Sequence, residues 1–167
     1  LLRQLAAEHI SAETQLKQNH SRYFLKLLET NERIHLETGV DLISADCDRT
    51  LDHLPNIRSA WEWAVNNSDT TTLKPAILPL MRDAQFRGWL HEGQRLLQLA
   101  CELNSAEPTW RGRIQLALGF CQRFLFDYEK AVAHLEKALA LFPNDAVEDR
   151  ARTKLWLAIP YVYAGKK

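Results

Sequence analysis

His91 and Glu92 open a stretch similar to the HExxH zinc motif, in which two histidines one helical turn apart hold the metal while the glutamate activates water. The fifth position is Arg95, so the second ligand is missing and a solvated helix start is the better reading. Asp46, Cys47, Asp48, Asp52 and His53 collect oxygen, sulfur and nitrogen donors within eight residues. Asp48 and Asp52 are four apart and share a helix face, where such a pair could hold a cation or act as acid and base. The stretch lacks the turn glycine and terminal glutamate of a calcium loop. Carboxylates at a helix start more often offset the macrodipole. His20 falls on an apolar stripe with Leu16, Phe24 and Leu27, the setting of a hydrogen-bonded core or boundary imidazole. Neither a GxxxxGK[ST] phosphate loop nor a GxSxG nucleophile turn occurs. The expectation is a chain that binds rather than catalyses, with no cofactor and no metal.

Composition narrows the partners. The 167 residues carry 21 Lys and Arg against 21 Asp and Glu, with an acidic first part (7 against 11 in residues 1–72). Duplex binders concentrate basic charge to release counterions, so this balance argues against nucleic acid. Cys47, Cys101 and Cys121 form no CxxC pair, and the expectation is small core residues in a reducing cytoplasm. No apolar run reaches the roughly 18 residues of a membrane span.

The elements that must position any site are helical. Leu2, Leu5 and Ala6 start a short helix ending near His9 or Ile10, and a second runs from about Ala12 to Glu37, stopped by Gly39. Its apolar positions Leu16, Tyr23, Phe24, Leu27, Leu28 and Ile34 predict one buried stripe. Residues 41–66 predict two helices meeting near Leu54-Pro55, the later one lined by Ile57, Trp61, Ala64 and Val65 and ended by residues 66–69. Thr70 to Thr72 are expected as a linker. Residues 1–72 are thus expected as a helical linker or bundle preceding a different, repetitive region from 73 to 167.

Three frames, starting at Lys74, Gly112 and Ala151, place like residues at like positions with offsets of 38 and 39. Position 7 is Leu80, Leu118 and Leu157, and position 8 is Gly119 and Ala158 in the later two. Positions 20, 24 and 27 are Gly93, Leu97 and Ala100, then Ala131, Leu135 and Ala138, with Pro143 at 32. Position 15 is Gly88 and Gly165 in the outer frames. The set resembles the tetratricopeptide (TPR) repeat, in which small residues let paired helices approach and proline stops the second helix. The resemblance implies an all-α, TPR-like solenoid of helical hairpins, a right-handed α-α superhelix, with repeats at about 73–106, 107–144 and a truncated 145–167. Pro79 and Pro160 fall inside expected helices and imply kinks. An apolar face on helix 146–164 (Leu155, Trp156, Ile159, Val162) would lack its neighbour, so the chain is expected to be cut from a larger protein or to pair with a second copy through this end.

In TPR arrays the first-helix positions 2, 5, 9, 12 and 13 line an inner groove. Carried over, the resemblance nominates Arg82, Gln85, Phe86, Arg113, Phe120, Arg123, Phe124, Arg152 and Tyr163. Guanidinium groups grip carboxylates or phosphates while rings bury apolar parts of a ligand. An acidic peptide segment, or an anionic small effector, is the expected occupant. The alternative is that the rings are interhelix core and the arginines are solvated.

The phrases "LLRQLAAEHI" (1–10), "HSRYFLKLLE" (20–29), "LPNIRSAWEWAV" (54–65) and "FRGWLHEGQRLLQLA" (86–100) resemble one region of large bacterial signal-transduction ATPases. These are STAND-class transcriptional regulators of the LuxR and antibiotic-regulatory-protein kind, and the region is the helical arm behind their ATPase. The resemblance implies a sensor or interaction arm that binds a protein, or the upstream ATPase domain of its own chain. A free-standing TPR adaptor is the alternative.

Overall fold

Apolar residues at helical spacing and few glycines leave this chain little choice but helix. The computed structural model describes residues 2–38, 53–103 and 107–165, and among them every regular element is helical. In chain order these are α1 (Leu2–Thr38), α2 (Leu54–Asn66), α3 (Thr70–Phe86), α4 (Leu90–Cys101), α5 (Pro108–Phe124), α6 (Tyr128–Leu141) and α7 (Val147–Tyr163). They form two compact units, residues 1–76 and 77–167. Asp46, Cys47, Asp48 and Asp52, and the expected stop at Gly39, lie outside the described residues.

In the first unit α1 is a single helix, not two. Nothing between His9 and Ala12 breaks it, since neither glycine nor proline occurs there. Its buried face also differs from the expected stripe. Leu16 and Tyr23 are exposed (69% and 64%), whereas Ser21, Leu25 and Leu28 are buried. Ser21 belongs to that face because its hydroxyl donates to the Ala60 carbonyl at 2.8 Å, which meets the hydrogen-bonding need of a buried polar group. Against this face α2 sets Ile57, Ala60, Trp61 and Ala64, all fully buried. A Trp or Ile removed from water in this way stabilises the fold by about 1.5–3 kcal/mol. His20 is half-buried, with its Nε2 3.3 Å from Asn56 Oδ1 and its ring 4.7 Å from Phe24. His53 sits at the start of α2, its ring 5.6 Å from Phe24.

Turn chemistry then repeats. Residues 67–69, 87–89 and 125–127 join α2 to α3, α3 to α4 and α5 to α6. In each turn the third residue donates its N–H to the carbonyl five residues back: Asp69 to Ala64, Trp89 to Ala84 and Asp127 to Gln122, at 2.9 to 3.0 Å. This Schellman closure satisfies the last helical carbonyls and requires a left-handed residue in the middle. Those residues are Ser68 (φ 53°), Gly88 (φ 79°) and Phe126 (φ 63°). Thr70 to Thr72 are not a linker but the first turn of α3. Asp69 caps that turn, accepting from the Thr72 N–H at 3.1 Å and the Thr72 hydroxyl at 2.7 Å. Helices α3, α5 and α7 end at Phe86, Phe124 and Tyr163, steps of 38 and 39 residues. Both α3 and α7 run through their prolines, Pro79 and Pro160, without a break.

The second unit is built around α5, which packs on α4, α6 and α7. From Ile114 to Gln122 every α5 residue is buried, the signature of a helix enclosed on all sides. Close approach is obtained with glycine. A Cβ on Gly119 would lie 2.6 Å from Leu135 Cγ and 3.1 Å from the Ala131 carbonyl oxygen. One on Gly112 would lie 2.5 Å from the Phe142 ring, and one on Gly93 2.6 Å from Ala84 Cβ. Leu116, Val132, Leu135, Ala138, Phe142 and Leu157 form the core between α5, α6 and α7. Arg150 fastens the end of α6 by donating from Nη1 to the carbonyls of Leu139 (3.1 Å) and Phe142 (2.9 Å), which have no helical partner of their own.

Candidate functional site

The expected groove residues separate into three groups. On α5 and α7, Arg113 Nε donates to Asp149 Oδ2 at 3.0 Å and the Phe120 ring lies 4.3 Å from Trp156. Both pairs are separated by 36 residues and both run in the same direction, so α5 and α7 are parallel neighbours. Phe120 is 7% exposed and also packs on Phe124, with centroids 4.7 Å apart. Phe124 is half-buried, and the Arg123 guanidinium carbon sits 5.1 Å from its ring centroid. That distance suits a cation–π contact. Phe124 and Trp156 therefore gather around the buried Phe120 ring, with Arg123 over Phe124.

Arg113 does not belong to that cluster as a free cation. Its partner Asp149 has only 7% of its side chain exposed, so the pair holds α7 against α5. The expectation of a solvated, ligand-gripping Arg113 is corrected on this point. Asp149 lies 36 residues away, beyond the reach of any local pattern. Arg123 and Arg152 differ from it, for neither has a carboxylate partner among the described residues. Trp156, expected on a bare apolar face, is instead half-buried against Phe120, and no groove position of the repeat frame nominates it. Leu155, Ile159 and Val162 are exposed at 71%, 43% and 76%.

Tyr163 forms the second group. Its ring stacks on Tyr128 of α6, 4.8 Å away and 16° from parallel, rather than joining the Phe120 cluster. The third group, Arg82, Gln85 and Phe86, occupies the end of α3. Arg82 and Phe86 each have a partner, and Phe86 remains 44% exposed. The column Phe86, Phe124, Tyr163 is thus not core, whereas Phe120 is.

Arg95, in the place of a second zinc ligand, donates from Nε and Nη2 to the two Glu92 carboxylate oxygens, each at 2.8 Å. Among the described residues no three His, Cys, Asp or Glu side chains gather as a metal site would need. Cys121 is buried in α5, but Cys101 is exposed at the end of α4, which corrects its assignment to the core. No helix among the described residues is long and apolar enough to cross a membrane. No protein-family model, curated protein or solved structure matches the chain.

Proposed function

We propose that residues 77–167 are a TPR-like hairpin solenoid whose α5–α7 face binds an acidic segment of a protein, without catalysis. The observation that carries this reading is Arg123 set over the Phe124 ring, which packs with Trp156 around Phe120. Arg152 stands one helical turn before Trp156, and neither arginine has a carboxylate partner among the described residues. Cations beside rings suit a ligand that brings both charge and apolar area. The hairpin geometry is supported by Gly119 lying under Leu135 and Ala131, small against large at positions 8, 24 and 20 of the repeat frame. It is supported equally by the recurrence of helix ends at 38 and 39 residues. Within a bacterial signal-transduction regulator, as the sequence phrases suggest, the acidic segment would come from the ATPase domain of the same chain or from an external partner. An anionic small effector would use the same two arginines.

A second reading, a free-standing adaptor, draws on a different observation. Leu155, Ile159 and Val162 form an exposed apolar stripe on α7, which would serve a second partner or a second copy of this chain.

The test is a fluorescence-anisotropy titration with acidic, neutral and basic peptides that each carry one aromatic residue. The acidic peptide should bind best. Reversal of both Arg123 and Arg152 to Glu should weaken it at least ten-fold, since each hydrogen bond to a charged group is worth about 1.5–3 kcal/mol. The helical circular dichroism signal should survive, because neither arginine holds two helices together as Arg113 does. Equal binding of all three peptides, or no change in the double variant, would refute the assignment.

A further inference from the structure

Phe126 occupies a backbone position that suits glycine. Gly88 and Gly165 hold the matching left-handed conformation after α3 and α7, and Ser68 holds it after α2. A phenylalanine at φ 63° is disfavoured by roughly five- to thirty-fold in population compared with a residue free of that clash. Packing gives nothing back, since the side chain is 77% exposed. Strain that the core does not explain points towards use of the side chain.

What surrounds the ring defines that use. Phe126 stands nearly perpendicular to Tyr128, at 85° and 6.3 Å, and Tyr128 stacks on Tyr163, itself 68% exposed. These three rings, with Leu125, Asp127, Glu129 and Ala164, line a cleft of about 440 Å³. Two carboxylates stand at its rim. Lys130 neutralises Asp127 through a 2.6 Å bond, whereas Glu129 is exposed and has no partner among the described residues. Aromatic faces set at right angles beside an unneutralised carboxylate attract a cation and exclude an anion.

We infer that this cleft is a second binding site, separate from the α5–α7 face, and that it receives an arginine side chain of a partner protein. A flat guanidinium can stack on an exposed ring while its N–H fork reaches Glu129, a combination that a compact ammonium cannot match. The site takes positive charge where the α5–α7 face takes negative charge, so the two select different segments.

Two exposed ring contacts and one exposed ion pair each contribute a few-fold, which places a lone arginine in the millimolar range. The experiment is an NMR titration of the full chain with acetyl-Gly-Arg-Gly-amide, with the neutral citrulline peptide as control. Saturable shifts at Phe126, Tyr128, Tyr163 and Glu129 with the arginine peptide alone are expected. Glu129→Gln should weaken binding about two- to five-fold. Phe126→Gly should remove most of the binding yet raise the folded-to-unfolded ratio about five-fold, a combination that loss of structure cannot produce. Equal shifts with citrulline, or binding unchanged in Phe126→Gly, would overturn the inference. Ring shifts caused by Lys166→Ala and Lys167→Ala without peptide would overturn it too, by assigning the cleft to the chain's own lysines.

Discussion

Replacing Gly119 with alanine adds one methyl group at a close approach of α5 to α6. Two effects then compete. Alanine is favoured over glycine inside a helix by about 0.8–1.0 kcal/mol. Against this, the new carbon would stand 2.6 Å from Leu135 Cγ, 3.0 Å from its Cδ2 and 3.1 Å from the Ala131 carbonyl oxygen. Carbon atoms pack best at about 3.5–4.0 Å. Leu135 is fully buried and the Ala131 oxygen is backbone, so neither gives way cheaply. Overpacking of this kind costs about 1–3 kcal/mol, and the net expectation is destabilisation of about 1–2 kcal/mol. Urea unfolding followed by circular dichroism measures this directly, and for a unit of this size each kcal/mol lowers the melting temperature by about 4–8 °C. A second background isolates the cause. Leu135→Ala alone should cost about 2–5 kcal/mol by leaving a cavity. With that space open, adding Gly119→Ala should become neutral or stabilising, because only the helix preference remains. Stability at or above wild type in the single variant, or the same effect in both backgrounds, would show that the helices do not meet at Gly119.

Asp83 gives a pH signature. Burial pushes its carboxyl above the ordinary value of 3.8, although Arg87 at 2.6 Å draws it down, and its Oδ2 has no hydrogen-bond partner. The folded state therefore holds this proton more tightly than the unfolded chain does, and the group subtracts from stability as pH rises from 3.8 through its raised folded value. The wild-type urea midpoint should fall relative to Asp83→Asn across that window and run parallel to it above, whatever constant offset the lost Arg87 pairing adds. A gap that widens in favour of wild type with rising pH would contradict this. The cysteines offer a chemical check. Burial raises the Cys121 thiol to about 12, whereas Cys101 is exposed. Iodoacetamide followed by mass spectrometry should label Cys101 in the native protein and Cys121 only in denaturant.

Much of the helical skeleton could be read locally, because turns announce themselves. Pro55 and Pro108 stand at helix starts, Gly88 and the stretch at 66–69 mark helix ends, and the expected helix at 146–164 is α7 at Val147–Tyr163. What escaped depended on partners far away in sequence. Ser21 lies on the buried face of α1 only because the Ala60 carbonyl accepts its hydroxyl, and hydrophobic periodicity cannot count a serine. Phasing the stripe on apolar residues alone therefore put Leu16 and Tyr23 inside. Thr70 to Thr72 carry no large apolar residue to mark a helix, yet the Asp69 cap provides the hydrogen bonds that start α3 there. Phe126 was hidden for the opposite reason, since nothing in an aromatic residue announces a left-handed turn.

The same division explains why a nine-residue groove contracts to fewer residues. Helix α5 is enclosed by α4, α6 and α7, so the burial that makes it the core also removes its middle from any binding surface. Only its ends remain open, which leaves Arg123 and Phe124 at the last turn. The parallel neighbour α7 sets Trp156 against Phe120, while Arg113 is consumed in fastening α7 to α5. The cost of holding the two helices side by side is one of the expected ligand-binding cations. It follows that Arg113→Glu, which sets a carboxylate against buried Asp149, tests the scaffold, and that substitutions at Arg123 and Arg152 test recognition.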